Sequence, residues 1–355
     1  MGSAKPVVVI TGIAGNLGCR LRPLLKDFSV IGVDLSPPQS DSSLQFVRLD
    51  LGEESSTRVI YELLRDTHAA AVIHLAFVVD PVRAGVLDHE RMWQINVAGT
   101  ARVMEAVTEA NRTAEEGIRQ FIFPSSVAAY GPNLPAPATE DSPLAAHTLL
   151  YAIHKKQADE VVQQRSSTLR GCSVYILRPP IFSGATMENY LVGAFRGTPN
   201  GHSARAEKMR SKGTRLPCML PSGQRYLANK IQFVHVDDMA RLIAHILHRE
   251  PEMQRLTVLN VAGRGAPLTF GHCVEIARAK LLRVPGEWAM RLVLRFLWNR
   301  QISAIPPEAL PYMTSEYIMN TSRLQKFLGE EYEHVIHYEI EDAFADTFRG
   351  ADTTT

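Results

Sequence analysis

The chain has 355 residues, 45% of them hydrophobic and 21% charged, with a formal net charge of +1. That length can bury one large core or two joined ones, and the composition is that of a globular protein. The near-neutral balance gives no sign of a polyanion-binding surface, so no nucleic-acid partner is expected.

In chain order, Met1–Pro6 lacks a signal-like apolar stretch, and no apolar run approaches membrane-spanning length. A cytoplasmic protein with no membrane partner is expected. Up to about residue 180, β-branched apolar runs alternate with amphipathic stretches, the pattern of a parallel sheet covered on both faces. Strands are predicted at Val7–Thr11, Val30–Asp34, Phe46–Asp50, Ala71–Leu75, Phe121–Ser125 and Ser173–Leu177. A helix is predicted over Met92–Ala110, where Trp93, Val97, Met104 and Val107 recur at helical spacing, and another over Thr148–Gln164. The stretch Ser183–Asn229, rich in Gly, Ser, Arg, Lys and Pro, reads as an irregular functional loop or lid. Ile231–Val236 and Leu256–Val261 read as two further strands of the main sheet, with a helix over Asp238–His248 between them. From about Ala266 the chain reads as mostly helical, broken at Pro285, Pro306–Pro307 and Pro311, with a frayed tail at Gly350–Thr355. Trp288, Leu292, Phe296 and Trp298 mix with Arg291, Arg295 and Arg300. Such a stripe could lie on a membrane or a partner, but it is expected to pack on its own domain.

The histidines form no His-Glu-x-x-His pattern, and Cys19, Cys172, Cys218 and Cys273 form no C-x-x-C pair. No metal is expected, and the cysteines read as buried, reduced thiols.

The first strand runs into Thr11-Gly12-Ile13-Ala14-Gly15-Asn16-Leu17-Gly18. Gly12 permits a tight turn, Gly15 lets the backbone approach a pyrophosphate, and Gly18 lets the next helix sit close to the sheet. A helix beginning near Gly15 would aim free N–H groups and its positive dipole end at phosphates. A strand before the turn and Asp34 ending the second strand make this a dinucleotide site rather than a bare glycine turn. Asp34 can accept from the adenosine ribose hydroxyls and would repel a 2′-phosphate, which favours NAD over NADP. Asp50 is placed to meet the adenine edge, or else to cap a helix over Gly52–Arg65.

Tyr151-Ala152-Ile153-His154-Lys155 sets a phenol and an ammonium one helical turn apart. A free tyrosine has a pKa of about 10, and positive charge from Lys155 and an oxidised nicotinamide would move it towards working range. Ser126, at the end of the fifth strand, lies where open α/β sheets bind ligands and could hold a substrate oxygen opposite Tyr151.

These pieces resemble the extended short-chain dehydrogenase/reductase family, in particular its NAD-dependent epimerase/dehydratase branch. The matching residues are Thr11–Gly18, Asp34, Asp50-Leu51, His74-Leu75-Ala76, Asn96–Thr100, Ser125-Ser126 and Tyr130-Gly131. Glu140–Pro143, Tyr151–Lys155, Leu177-Arg178-Pro179 and Phe233–Asp238 continue them in order. The resemblance implies a Rossmann-type doubly wound parallel sheet with a smaller, mostly helical C-terminal substrate domain. Residues 1–182 plus 230–265 would bind NAD; 183–229 plus 266–350 would bind substrate. The implied catalytic residues are Ser126, Tyr151 and Lys155. The implied cofactor residues are Gly12, Ala14, Gly15, Asn16, Leu17, Gly18, Asp34, Asp50, Leu51, Leu75, Ala76, Asn96, Ser125 and Pro179, together with Tyr151 and Lys155. Within that set, Leu75 and Ala76 would border the ribose and Asn96 the nicotinamide half. Asp237 and Asp238 would cap the helix that follows them. A homodimer built from the helices at 92–110 and 148–164 is expected, as in the family.

Three departures from the family pattern bear on the substrate. Val127 and Ala128 stand where dehydratases carry an acidic pair, so dehydration is not expected. Ile181 stands where sugar-nucleotide epimerases usually place an Asn, and Ile231 or Gln232 where an Arg would precede the strand with His235. Lys230, Arg225, or one of Arg205, Arg210 and Arg215 could replace that Arg. His154 replaces the Ser before the catalytic Lys. The expected function is therefore an NAD-dependent oxidoreductase or epimerase of a secondary alcohol or ketone, with a sugar nucleotide as the first substrate and a non-nucleotide alcohol or ketone as the alternative. A non-catalytic dinucleotide sensor is the competing class, but such proteins commonly lose the Tyr or Lys that this chain keeps.

Overall fold

Val7–Thr11 forms strand β1, whose Val8, Val9 and Ile10 are wholly buried because successive side chains enter the cores on opposite faces of one sheet. The computed structural model describes residues 4–38, 44–114, 117–134, 137–251, 256–316 and 318–349. The predicted frayed tail Gly350–Thr355 lies outside them. After α1 (Asn16–Leu21) come β2 (Ser29–Asp34), β3 (Gln45–Arg48), α2 (Ser56–Asp66) and β4 (Ala69–His74). The next segment holds α3 (Pro81–Ala84), α4 (His89–Trp93), a π-type turn at Gln94–Ala98 and α5 (Gly99–Thr113). Then follow β5 (Gln120–Pro124), α6 (Leu150–Ser166), β6 (Ser173–Arg178) and β7 (Ile181–Ser183). The helix predicted over Met92–Ala110 is thus broken by wider π-type turns, a feature that often marks a functional site.

The central sheet has seven strands in the order β11-β6-β5-β4-β1-β2-β3, with β11 spanning Leu256–Asn260, and every pairing is parallel. Strand order reverses between β1 and β4, and ligand crevices of doubly wound sheets open at such a point. Val9, Ile31 and Val72 lie on one face with Ile60 of α2, Val103 and Val107 of α5, and Ala158 and Val162 of α6. Val8, Ile10 and Ile73 lie on the other, against Leu21 and the helix α10 (Val236–His248). Each wholly buried Val, Leu or Ile contributes roughly 1.5–3 kcal/mol from removal of its surface from water. Met104 and Val107 are buried in the first of these layers and Val97 is buried too, whereas Trp93 keeps 36% of its surface exposed.

Several expectations need correction. Ser183–Asn229 is not an irregular loop. It carries α7 (Tyr190–Arg196), α8 (Ala204–Ser211), β8 (Cys218–Pro221) and α9 (Gln224–Ala228). Two of its three short helices, α7 and α8, are capped by Asn189 and Ser203, signals that the Gly- and Arg-rich composition masked. Ile231–Val236 does not join the main sheet. Gln232 interrupts it, so β9 (Lys230–Ile231) pairs antiparallel with β12 (Leu268–Thr269), while β10 (Phe233–His235) pairs with β7. Past β12, α11 (Phe270–Ile276) leads to a strand in a region read as mostly helical, β13 (Leu281–Val284), which pairs with β8. The helix α12 (Glu287–Asn299) buries Met290 and Leu294 and leaves Trp298 half-buried, but Trp288, Leu292 and Phe296 are 66%, 57% and 51% exposed, so most of the stripe does not pack on its own domain. Cys19 is exposed; only Cys172, Cys218 and Cys273 are buried.

Candidate active site

Gly12 adopts φ +73°, and a Cβ there would stand 2.5 Å from the Ala76 nitrogen, so only glycine lets β1 turn this close to the end of β4. Gly18 is confined by the Ile13 backbone, so the glycine that was expected to seat the helix on the sheet seats it on the turn itself. No side chain caps α1, whose N-terminus begins at this turn. Asp34 braces the turn: its carboxylate accepts from Ala14 N at 2.9 Å and Leu35 N at 2.7 Å. Around it opens a cleft of about 370 Å³ lined by Gly12, Ala14, Gly15, Asp34, Asp50, Leu51, Leu75 and Ala76 among others. Eight residues singled out from the sequence therefore share one cavity.

The other expected cofactor residues lie around it. Asn16 donates to Thr186 Oγ1 at 3.0 Å and accepts from Arg20, and Arg20 pairs with Asp237 and Thr186. That cluster ties the glycine-turn helix to the segment after β7. Leu17 packs against the core below. Asn96 is fully buried and holds both polar backbone atoms of Val78, at 2.7 and 3.0 Å, which fixes the loop beyond Ala76. Pro179 offers its carbonyl to Val127 N at 2.8 Å. Ser125, 3% exposed, has a buried hydroxyl without a hydrogen-bond partner beside Ser126. A buried orphan hydroxyl is costly unless a ligand meets it. The glycine cradle, the carboxylate at the end of β2 and this orphan together fit a dinucleotide.

Asp50 does not cap α2, whose N-cap is Ser55; it accepts from Gly52 N and pairs with Arg91. Nor do Asp237 and Asp238 cap α10. His235 does, through Nδ1 accepting from Asp237 N, while Asp238 is buried and accepts from His337 N and Tyr338 N.

At the end of β5, Ser126 caps a 3₁₀ turn over Val127–Tyr130, with the Tyr151 phenol close by. Lys155 Nζ donates to Pro124 O at 2.7 Å. Burial raises the Tyr151 pKa, opposed by Ser126, and lowers that of Lys155 to about 7, opposed by Asp159. The Lys155 ammonium lies 3.7 Å over the Phe77 ring. Phe77 also lines the cleft and meets Tyr151 edge-on at 6.0 Å, so one ring separates the cavity from the phenol. His74 stays neutral, its pKa lowered to about 3 by burial and Lys155, and bridges Thr11 and Thr100.

Phe77, Tyr190 and Tyr312 were not found in the sequence. Tyr190 reaches Val79 O and Tyr312 reaches Ala128 O, each at 3.5 Å, and both pack with Tyr151. They arrive from segments far along the chain, and only the shift in composition after Ser183 hinted that this region mattered. Tyr130, Glu140 and Arg178, quoted from the sequence without a role, form one buried network. Arg178 grips Asp159 with two 2.9 Å bonds and also donates to Tyr130 Oη and Glu140 O.

The profile of the NAD dependent epimerase/dehydratase family matches residues 8–262, which include the glycine turn, the strand ends and Tyr151. The chain belongs to that family. Its sheet, in the doubly wound order, and the helical C-terminal region agree with this membership. An uncharacterized epimerase/dehydratase of Staphylococcus aureus (strain USA300) is 23% identical over 214 residues; the match spans 55% of this chain and 61% of that relative. Among solved structures of similar fold is the dTDP-glucose 4,6-dehydratase of Bacillus anthracis in complex with NAD (TM-score 0.66, 16% identity, 98% and 97% of the two chains). Another is the UDP-glucose 4-epimerase of Thermus thermophilus with NAD (0.63, 20%, 97% and 99%). A third is the UDP-glucose 4-epimerase of Thermotoga maritima with UDP-glucose (0.65, 16%, 97% and 99%).

Proposed function

We propose that the protein is an NAD-dependent oxidoreductase or epimerase that acts at a secondary alcohol or ketone carbon, with Tyr151 as its acid/base. The observation that carries this reading is the meeting of Ser126, Tyr151 and Lys155 at the end of β5, one aromatic ring away from the cleft built on Gly12 and Asp34. When bound, NAD supplies the hydride acceptor or donor. Gly12, Ala14 and Gly15 cradle its phosphates, Asp34 holds the adenosine ribose, and Asp50 and Leu51 border the adenine. Tyr151 Oη takes the proton from a substrate hydroxyl or returns it to a carbonyl oxygen, and Ser126 Oγ orients that oxygen. Lys155, drawn off Phe77, holds the nicotinamide ribose and brings positive charge towards the phenol. Val127 and Ala128 are buried and have no proton to give, so dehydration is outside this site's chemistry. The division into an NAD-binding part, residues 1–182 plus 230–265, and a substrate part, 183–229 plus 266–350, goes with this reading.

A sugar nucleotide is the first substrate class, supported by the relatives that carry such names. A non-nucleotide alcohol or ketone is the second, and one observation favours it. Arg196 and Arg210 are bonded to backbone carbonyls, Arg225 to Tyr226, and Arg205 and Arg215 are exposed, so the arginines of 183–229 are already engaged or turned to solvent. Gln232 is likewise engaged with the Met319 backbone. Calorimetry of NAD-loaded protein with uridine, thymidine and guanosine diphosphate sugars decides between them. A dissociation constant below about 1 mM for one of these supports the first class, and none below that value removes it.

A further inference from the structure

The net charge of +1 conceals a segregated surface. The stretches 201–218 and 278–300 together hold eleven Lys and Arg against two acidic residues, Glu207 and Glu287. They adjoin in space. Gly201 N donates to Ile302 O and Ser203 N to Gln301 O at the C-terminal end of α12, and β8 pairs with β13 just before that helix. Arg205, Lys208, Lys212, Arg215, Arg291 and Arg295 are all exposed, and no ion pair is formed by any of them among the described residues.

Next to the first of these stretches, and within the second, runs the outer face of α12. Trp288, Leu292 and Phe296 recur every fourth residue, all more than half exposed, and form a ridge about 12 Å long at 1.5 Å per residue. Arg291 and Arg295 flank the ridge on one side and Arg300 on the other, its guanidinium 5.0 Å from the Phe296 ring centroid. The opposite face, through Met290 and Leu294, is fixed in the same core as Tyr151 and Tyr190, so the helix is held rigidly with its apolar ridge outward. No helix among the described residues is long and apolar enough to cross a membrane. An amphipathic helix with Trp, Leu and Phe on one face, edged by arginines whose alkyl stems reach across an apolar boundary, suits the plane of a lipid headgroup layer. A basic surround suits an anionic layer.

We infer that the α12 face is a docking surface for an anionic membrane, with Trp288, Leu292 and Phe296 entering the acyl boundary and the surrounding cations meeting lipid headgroups. This departs from the expectation, drawn from net charge and the lack of a long apolar run, that no membrane is a partner. It is independent of the substrate reading.

Co-sedimentation of the whole protein with vesicles tests it, using phosphatidylcholine alone and phosphatidylcholine mixed with phosphatidylserine. Wild type is expected to bind the anionic vesicles on the order of tenfold more than the neutral ones, and less as salt rises. The triple variant Trp288→Ser, Leu292→Ser, Phe296→Ser is expected to lose binding to both, and Arg291→Gln, Arg295→Gln, Arg300→Gln to lose the anionic preference. Thermal stabilisation by NAD, read on every variant, verifies that the fold and the distant cleft persist. Wild type left in the supernatant with anionic vesicles overturns the inference. So does equal binding by the serine variant, which would mean charge alone acts. Light scattering showing that the serine changes split an oligomer, with no vesicle binding by wild type, would assign the face to a second copy instead.

Discussion

Asp34 serves the fold and the cleft with one carboxylate, bracing the glycine turn through Ala14 N while lining the cavity. NAD is expected to bind at least about tenfold tighter than NADP, a gap of roughly 1.4 kcal/mol, since a 2′-phosphate would face this charge. Asp34→Ala should narrow that gap in titration and also weaken NAD itself, because the turn loses its brace. Tyr151→Phe should keep NAD affinity and lose at least about 100-fold in turnover, the low end of what a positioned acid/base contributes. Retained turnover on a true substrate would send the search to another proton carrier. Lys155 provides a pH test. Burial lowers its pKa from 10.5 to about 7. Between those values the unfolded chain holds the proton and the folded chain does not, so stability rises with pH across that window. Below about 7 both states hold it, and the burden of the buried cation, on the order of a few kcal/mol, is complete. Melting of ligand-free Lys155→Met should therefore exceed wild type most near pH 7 and lose that advantage towards pH 10.

The elements around the site depend on buried polar joints that link distant stretches. Arg178, 2% exposed at the end of β6, is held by Asp159 of α6, Tyr130 and the Glu140 carbonyl. Asp159→Leu leaves the guanidinium buried without its counter-charge and should cost about 3–5 kcal/mol by denaturant unfolding. Tyr130→Phe removes one bond and should cost nearer 1 kcal/mol. If Asp159→Leu proved neutral, the joint would not be holding β6 to α6. The sequence showed that Tyr130, Glu140 and Arg178 belonged to a recurrent pattern but not that they touch, since a side-chain network between a turn, a loop and a strand leaves no periodic trace. The Gly12 turn was legible because its requirement is local: a positive φ directly after a buried strand.

For the whole molecule, Met104 and Val107, apolar residues of one of the two helices expected to build the homodimer, are buried within the subunit and do not supply its interface. Trp93, at the end of α4, is 36% exposed and bonded to Gln157 of α6 at 3.2 Å, where a partner could reach it. Light scattering should give a dimer for wild type and a monomer for Trp93→Glu; a wild-type monomer at micromolar concentration removes the dimer.

The sequence by itself determined the seven strands of the core sheet, to which it wrongly added Ile231–Val236, and with them the glycine turn, Asp34 and the Tyr151–Lys155 spacing. Each follows from near-neighbour rules: alternation in a strand, a turn that only glycine makes, one helical turn between two side chains. The tertiary structure alone decided the rest. It drew Phe77 between cavity and phenol, brought Tyr190 and Tyr312 to the same wall, took Phe233–His235 out of the main sheet and turned Trp288, Leu292 and Phe296 outward. A helical repeat of apolar residues states that one face is apolar, but not which neighbour covers it. On α12 two such faces exist, Met290 with Leu294 and Trp288 with Leu292 and Phe296, and only packing against the wall that holds Tyr151 selected which one would be buried.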